Sequence, residues 1–255
     1  YTPLPASVCG TICPNLCMQN CSRKKVDFSI DVSILGRAVN TAEPPEALPP
    51  TGRKVAIIGG GPGGMAVAWH LALNGVEAHI FEKAKEIGGK LSQTIPWERL
   101  SRAIWEREIT RFTHTPNLVI NTGVTMSKDK VLKLKKEFDY VVIAVGTHQP
   151  RTIPFPGHER VIPALDYLKA AKSKKPMPTG KKVVIIGAGN VGCDVAAEAY
   201  RLGADQVTLV DIQKPLAFGK EKDAAEALGA VFKWPVMTRE VNKKGLVGDD
   251  GTLYP

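Results

Sequence analysis

The 255-residue sequence has few aromatic side chains and no long hydrophobic run. Phe, Trp and Tyr make up 6% of it, and no stretch approaches the roughly 18 consecutive apolar residues that a membrane-spanning helix needs. Zinc-finger spacing, the aromatic signature of RNA-binding domains and a basic heptad helix are absent. The first residues, 1–7, lack the basic start and apolar run of a secretory leader. The sequence therefore predicts no membrane span, no nucleic-acid partner and a cytoplasmic location.

Charge is biased towards the basic side. Hydrophobic residues are 44% and charged residues 23% of the chain, which is an ordinary globular composition. Lys and Arg number 34 against 25 Asp and Glu, so the net charge is +9. The basic residues lie in short groups, at 23–25, 128–136, 172–175 and 243–244. Each group is typical of a solvated surface, and the overall balance also fits an acidic protein partner or bound phosphates.

Cysteine is unevenly distributed. Cys9, Cys13, Cys17 and Cys21 recur at every fourth position, whereas Cys193 stands alone. This spacing matches neither the usual zinc sites nor the ferredoxin run. Clustered cysteines in an intracellular protein favour a metal, and free thiols are the alternative. We expect Cys193 to be a small core residue.

Composition divides the chain into three parts. Residues 1–50 contain the cysteine cluster, an apolar stretch over 28–35 that we predict as a short helix, and a Pro-rich linker over 43–50. A first α/β domain is predicted over 51–160 and a second over 161–255. The expected fold class is α/β, with two Rossmann-like folds preceded by a short, mainly helical Cys-rich segment.

The two domains repeat one supersecondary unit. Apolar strands are predicted over 54–58 and 78–81, with a helix over 63–74 between them. The same pattern returns about 128 residues later, with strands over 183–186 and 206–210 and a helix over 191–202. Further elements are expected at 99–112 (helix), 118–120 and 139–145 (strands). Two such βαβ units predict parallel sheets.

The first glycine-rich turn, 59–64, fits G-x-G-x-x-G and lies between the predicted strand and helix. Gly59 permits the tight turn, Gly61 lets the backbone approach a pyrophosphate, and Gly64 lets the helix pack on the strand. The helix N-terminus offers N–H groups to the phosphate. Glu82 ends the next strand and is positioned to accept from ribose hydroxyls. The alternative is a glycine-rich turn without a ligand.

The second turn, 187–192, has the same context and is followed by Asp211. A carboxylate at this place bonds the 2′-hydroxyl of NAD and repels the 2′-phosphate of NADP. The nearest cation is Lys214, so we predict a preference for NADH. The alternative is that Asp211 merely opens a turn. Two dinucleotide folds suggest a flavin and a nicotinamide between which a hydride passes.

Several motifs follow one another along nearly the whole chain. They are Thr2-Pro3-Leu4-Pro5 with Cys9-Gly10-Thr11-Ile12-Cys13-Pro14-Asn15-Leu16-Cys17; Gly88-Gly89-Lys90-Leu91 with Ile95-Pro96 and Arg99-Leu100; Phe138-Asp139-Tyr140 through Ala144-Val145-Gly146 with Pro150-Arg151; and Gly189-Asn190 with Asp194 and Arg201-Leu202-Gly203-Ala204. In this order they resemble the small subunit of glutamate synthase and its relatives. Those relatives include the flavin end of dihydropyrimidine dehydrogenase and the large subunit of ferredoxin:NADP transhydrogenases.

The resemblance implies an FAD-dependent NAD(P)H oxidoreductase, with FAD in the first fold, NAD(P)H in the second and [4Fe–4S] clusters as the electron exit. The implied FAD-binding residues are Gly59, Gly61, Pro62, Gly63, Gly64, Glu82, Lys83, Gly89, Lys90, Leu91, Arg99, Ala144, Val145 and Gly146. The implied nicotinamide-binding residues are Gly187, Gly189, Asn190, Val191, Gly192 and Asp211. Cys13, Cys17 and Cys21 match ligand positions, and Cys9 is a further candidate. No catalytic side chain is implied, because the cofactors carry the chemistry.

The sequence departs from the family in three places. The upstream cysteine motif that completes the clusters is not present. Asp211-Ile212-Gln213 replaces the arginines that bind NADPH. The sequence stops at Pro255, within the nicotinamide domain, so we expect a fragment of a longer chain.

The predicted function is an electron-transfer module that oxidises NADH, or NADPH, through FAD and passes electrons to a redox partner protein or subunit. One alternative is a non-catalytic nucleotide-binding scaffold subunit. Another is a flavin monooxygenase-like enzyme, which explains neither the cysteine cluster nor the Ile95-Pro96 segment. A mechanism like that of thioredoxin reductase is disfavoured, because no cysteine pair lies near either turn.

Overall fold

The computed structural model describes residues 6–38, 45–150, 153–173 and 175–255. The chain divides into two compact units, the first ending at His148 and the second beginning at Gln149. The Thr2–Pro5 motif, Glu43-Pro44 and Arg151 lie outside the described residues. Among the described residues, no helix has both the length and the apolar character needed to cross a bilayer.

The helices and strands follow in one order along the described chain. They are α1 (Ala6–Ile12), α2 (Leu16–Gln19), α3 (Ser33–Ala38), β1 (Lys54–Ile58), α4 (Pro62–Leu73), β2 (Glu77–Phe81), α5 (Lys90–Gln93), α6 (Arg102–Thr113), β3 (Leu118–Asn121), α7 (Lys128–Glu137), β4 (Tyr140–Ile143), α8 (Ala164–Ala171), β5 (Lys182–Ile186), α9 (Asn190–Arg201), β6 (Gln206–Val210), α10 (Lys220–Ala227), β7 (Val231–Lys233), β8 (Thr238–Asn242), β9 (Gly245–Gly248) and β10 (Leu253–Tyr254).

The N-terminal segment consists of short helices. A 3₁₀ turn over Ser22–Lys25 follows α2, and an irregular stretch then leads to α3. The predicted helix over 28–35 is wrong in its first half, because helix begins only at Ser33. Phe28 and Ile30 are exposed and form no apolar helical face. The helix begins at Ser33 because the side chain of Asp31 accepts from the Ser33 backbone N–H at 2.9 Å.

The first unit is built on a parallel four-stranded sheet in the order β3-β2-β1-β4. Strand β1 lies inside this sheet, and every residue of it after Lys54 is buried. Helix α4 begins at Pro62, whose ring suits a first helical position, and ends before Gly75, which adopts a positive φ of 73°. Helix α6 begins at Arg102, and the hydroxyl of its N-cap residue Ser101 accepts from the Ile104 N–H.

The second unit repeats this arrangement on a smaller scale. Its parallel sheet has the order β5-β6-β7, and α9 follows β5 as α4 follows β1. Cys193, a residue of α9, is fully buried, as predicted, in a cluster that includes Ala196, Val207 and Leu209. A small antiparallel sheet, β10-β9-β8, completes the unit and has no counterpart in the sequence-based predictions. Both large sheets are parallel, so the predicted α/β class is confirmed.

Candidate nucleotide-binding sites

The first glycine turn connects β1 to α4 and is shaped by close backbone contacts. Gly59 has φ 108°, and a Cβ there would lie 2.4 Å from the Ala144 carbonyl oxygen at the end of β4. A Cβ on Gly64 would lie 1.9 Å from the Gly59 oxygen. Both positions therefore accept only glycine. Gly59 needs it for its positive φ, and at both residues another backbone segment lies too close for a Cβ.

Other positions of the turn are open. A Cβ on Gly61 or on Gly63 would meet no atom within 4 Å. Gly61 is the N-cap of α4 and Pro62 is its first residue, so the unpaired N–H groups of the helix face this open space. A helix N-terminus with free space in front of it fits the pyrophosphate of a dinucleotide.

Glu82 ties the turn to the end of β2. Its carboxylate is buried, and its Oε2 accepts from the Gly60 N–H at 2.7 Å while its Oε1 accepts from the Ala84 N–H at 2.8 Å. Each carboxylate oxygen has a second lone pair, so the group can still accept from ribose hydroxyls. Lys83, next in the chain, is exposed.

A second glycine pair packs against the first turn. The Gly88 N–H donates to the Gly60 carbonyl at 2.7 Å, and a Cβ on Gly89 would lie 3.0 Å from the Gly61 Cα. Gly89 is the N-cap of α5, which begins at Lys90 and buries Leu91. The structure thus brings 88–91 to the glycine turn, although the two segments are separate in sequence.

The remaining predicted flavin residues lie in two different places. Ala144 follows β4, and its N–H donates to the Ile58 carbonyl at 2.8 Å, so 144–146 run beside the turn. Gly146 has φ 67°, and the exposed His148 is bonded to the Val145 carbonyl at 2.8 Å. In contrast, the guanidinium of Arg99 donates to the Ile12 carbonyl of α1 at 3.0 Å.

The second glycine turn, between β5 and α9, has nearly the same geometry as the first. Gly187 has φ 105°, and a Cβ on Gly192 would lie 2.2 Å from the Gly187 oxygen. Gly189 is the N-cap of α9, and a Cβ there would meet nothing within 4 Å. Val191, in the first turn of that helix, is exposed. The open N-terminus again fits a phosphate.

Asp211 occupies the place that Glu82 has in the first unit. Its Oδ2 accepts from the Ala188 N–H at 2.8 Å, and its Oδ1 accepts from the Gln213 N–H at 3.3 Å. Lys214 is exposed. The carboxylate is therefore held at the turn, where a ribose attached to the phosphate would lie.

Asn190 is held by residues that the sequence analysis did not identify. Its amide donates to the Phe218 carbonyl at 3.3 Å and to the Glu221 carboxylate at 3.0 Å, and its Oδ1 accepts from the Phe218 N–H at 3.3 Å. The Ala217 N–H also bonds to the Ala188 carbonyl at 3.0 Å. The loop before α10 thus borders the second turn. No sequence motif indicates this contact, because it joins segments about 28 residues apart.

The second unit also contains a cavity of about 570 Å³ on the flank of β5. It is mostly apolar and is lined by Phe155, Ile162, Tyr167, Val184 and Leu246, among others. Neither the glycine turn nor Asp211 lines it. This cavity is therefore separate from the candidate nucleotide site at the second turn.

The clustered cysteines lie along the N-terminal segment. Cys9 is in α1, Cys17 is in α2 and Cys21 precedes the 3₁₀ turn; Cys9, Cys13 and Cys17 are exposed. Backbone N–H groups of Ile30 and then Arg23 lower the pKa of the Cys21 thiol. Within 6–38 and the other described ranges, no three His, Cys, Asp or Glu side chains come together as metal ligands would. The described residues alone therefore do not fit a complete cluster site.

The fold and the two turns define a class of nucleotide-binding oxidoreductases. The chain belongs to the pyridine nucleotide-disulphide oxidoreductase family, whose model matches residues 53–251. The NADPH-Fe(3+) oxidoreductase subunit beta of Geobacter sulfurreducens is 34% identical over 94% of this chain and 38% of its own length. The glutamate synthase [NADPH] small chain of Bacillus subtilis is 32% identical over 78% of this chain and 44% of its own length.

Among solved structures, a complex of 2-naphthoyl-CoA reductase is similar, with a TM-score of 0.65 and 25% identity over 81% of this chain and 32% of that one. The predicted resemblance to the glutamate synthase small-subunit family, and with it the class of FAD-dependent NAD(P)H oxidoreductases, is confirmed. The chain spans less than half the length of these relatives.

Proposed function

We propose that this chain is the nucleotide-binding electron-transfer part of a flavoprotein oxidoreductase, with FAD at the first turn and NAD(P)H at the second. The observation that carries the proposal is the repeated geometry. In each unit, an open helix N-terminus stands beside a carboxylate that is bonded to the backbone of the glycine turn. This is the constellation that binds a pyrophosphate and an adjoining ribose.

The first turn suits the larger cofactor. The N–H groups at the start of α4 would hold the pyrophosphate, and Glu82 the adenosine ribose. The segments 88–91 and 144–146, whose backbones contact the turn or its strand, would extend the site beyond it, with Lys90 and Val145 as proposed cofactor contacts. When bound, FAD supplies the hydride-accepting and single-electron chemistry. Arg99 stays in the proposed set on the resemblance, and its guanidinium also donates to the Ile12 carbonyl of α1 at 3.0 Å.

The second turn suits a nicotinamide nucleotide. Gly189 leaves room for the phosphates, and Asp211 would accept from both ribose hydroxyls. We propose NADH as the preferred donor, since Asp211 is acidic and Lys214 is the nearest cation in sequence. Both relatives described above carry NADPH in their names, so this preference would distinguish the chain from them.

We further propose the domain limits 51–160 for the flavin domain and 161–255 for the nicotinamide domain, both of Rossmann type. The cytoplasmic location and an acidic redox partner are also proposals, the latter supported by the net charge of +9. Cys13, Cys17 and Cys21 would contribute ligands to a [4Fe–4S] centre completed by residues outside the described ones. The lowered pKa of the Cys21 thiol supports thiolate character at that residue.

The absorbance of the purified chain tests the proposal. We expect a bound oxidised flavin that is released as FAD on denaturation and bleached by NADH under anaerobic conditions. NADH-dependent reduction of a soluble dye should accompany the bleaching. A colourless protein that binds no added FAD contradicts the proposal. A protein that binds both nucleotides without bleaching supports the alternative of a scaffold subunit.

A further inference from the structure

We propose that α6 fixes the cysteine segment against the first nucleotide turn, with Trp105 and Glu108 as positioning residues one helical turn apart. This inference rests on the proposed function of that turn. It concerns only the first unit, and it assigns a role to a buried carboxyl group that nucleotide binding does not use.

Trp105 is the contact of α6 with the nucleotide side. Its ring is buried, and a Cβ on Gly88 would lie 2.5 Å from two of its ring atoms. Gly88 in turn donates to the Gly60 carbonyl of the glycine turn at 2.7 Å. The indole therefore supports the turn through a single intervening residue, at a position where only glycine fits.

Glu108 is the contact of α6 with the cysteine segment. Its side chain is fully buried, and its Oε1 accepts from the Ser7 hydroxyl of α1 and from Arg111 at 3.3 Å. Residues three apart on a helix share one face, so Glu108 lies next to Trp105 along α6. Val8 is fully buried in the same apolar cluster as Trp105.

Helix α1 is held at both ends. Ser7 bonds to Glu108 near its start, and the Ile12 carbonyl at its end accepts from Arg99 at 3.0 Å. Cys9 lies between these two contacts, and Cys13 follows directly and donates its N–H to the Cys9 carbonyl at 2.9 Å. The contacts therefore fix where the first two thiols stand relative to the glycine turn.

The chemistry of Glu108 supports positioning over mere packing. Its Oε2 is buried and has no hydrogen-bond partner among the described residues. A buried carboxyl with an unpaired oxygen is costly, and a well-packed apolar side chain at such a place is often as stable or more so. What a leucine would lack is the directional bond to Ser7. Functional groups need support of this kind, because they must be held to within about 0.5 Å of their working position by rigid elements.

Ser7→Ala in the full flavin-loaded chain tests the proposal, because it removes the hydroxyl and touches neither nucleotide turn. Thr11→Ala is the matched control, since its hydroxyl bonds only within α1, to the Ser7 carbonyl at 2.7 Å. Two readouts are used. The first is hydrogen exchange of the α1 amides. The second is energy transfer from the flavin to a dye on Cys13, in a background with Cys9, Cys17 and Cys21 changed to Ser.

We expect Ser7→Ala to accelerate α1 exchange by up to about tenfold, the effect of losing one hydrogen bond. It should also broaden the flavin-to-dye distance distribution at unchanged flavin content. Glu108→Ala should do the same, whereas Glu108→Gln, which keeps the acceptor for Ser7, should behave like the wild type. Unchanged exchange and distances in Ser7→Ala would overturn the proposal even if Glu108→Ala fails to fold. A chain without flavin would contradict the proposed function, while the exchange measurement would still decide this inference.

Discussion

At the scale of single residues, Asp211 and Glu82 hold equivalent places but face different demands. Both carboxylates accept from the second residue of a glycine turn, at 2.8 and 2.7 Å. Under the proposed assignment of FAD to the first turn and NAD(P)H to the second, only Asp211 would have to discriminate between two nucleotides, because the flavin ribose carries no 2′-phosphate. We therefore propose that its charge decides between NADH and NADPH.

We expect wild-type protein to prefer NADH, and Asp211→Arg to erase or reverse that preference. The carboxylate repels a 2′-phosphate and forms charged hydrogen bonds with the free hydroxyls, each worth about 1.5–3 kcal/mol. That energy corresponds to a factor of roughly ten to a hundred in binding. Steady-state kcat/KM with each nucleotide measures the effect. Asp211→Asn is the control, because it keeps an acceptor for Ala188 without the charge; equal efficiency of both nucleotides in the wild type would rule out this role.

Cys193 should behave differently from the other thiols. Burial, and then the neighbouring Asp194 carboxylate, raise its pKa to about 12, so the thiol stays protonated in the native protein at pH 8–9.5. Maleimide labelling in that range should modify Cys13 and Cys17, which are exposed, and spare Cys193 until the protein unfolds. Labelling of Cys193 at the rate of the exposed thiols would contradict the burial of this thiol in the core of the second unit.

The same pKa shift has a consequence for stability. Between the ordinary thiol pKa and 12, the folded state binds more protons at Cys193 than the unfolded state does, so stability falls as pH rises through this range. Denaturant unfolding between pH 8 and 11 should show this slope, and Cys193→Ala should reduce it. An identical slope in the variant would mean that other groups cause it.

At the scale of elements, the junction between a strand and the following helix depends on one close contact. Gly64→Ala would place a methyl group 1.9 Å from the Gly59 carbonyl oxygen, so α4 would have to move away from β1. Overpacking of this kind costs about 1–3 kcal/mol or more. Gly63→Ala is the matched control one residue away, where a Cβ meets nothing within 4 Å.

We therefore expect Gly64→Ala to lower the free energy of unfolding and Gly63→Ala to leave it unchanged or raise it by about 0.4–1 kcal/mol. Thermal unfolding of the two variants without added nucleotide measures this difference. Equal stability of both would mean that α4 does not pack against the turn as described. The second unit offers the same comparison at Gly192, where the contact distance is 2.2 Å.

At the scale of the whole molecule, the chain combines two units that each have their own sheet and their own glycine turn. Gly61→Val and Gly189→Val fill the open space in front of α4 and α9, respectively. Both residues have negative φ and no atom within 4 Å of a Cβ, so the folds should persist.

Each variant should lose one nucleotide only. We expect Gly61→Val to bind at least tenfold less FAD and to retain nicotinamide binding, and Gly189→Val to show the reverse. Calorimetric titration and flavin content measure the two affinities separately, with circular dichroism as the check on folding. Loss of FAD from Gly189→Val, with its fold intact, would contradict the assignment of one nucleotide to each turn.

The sequence by itself determined the elements that local pattern specifies. Short β-branched runs such as 54–58 and 183–186 predicted strands, and glycines at fixed offsets predicted turns followed by helices, because strand burial and positive φ act over a few residues. The acidic residues Glu82 and Asp211 were found for the same reason, since each directly follows a strand. The class of oxidoreductase followed from the order of these motifs.

Only the tertiary structure decided the contacts between distant segments. The approach of 88–91 to the glycine turn, the loop at Phe218 that holds Asn190, and the link from Trp105 to Glu108 and Ser7 join residues that no local pattern connects. The antiparallel sheet β8–β10 was missed because its strands have only two to five residues. The stretch before Ser33 was wrongly predicted as helix because its apolar side chains remain exposed and pack on no core. Arg99 shows the same limit: its motif implies a flavin contact, which stays a prediction, and the hydrogen bond from its guanidinium to the Ile12 carbonyl is one that no local pattern indicates.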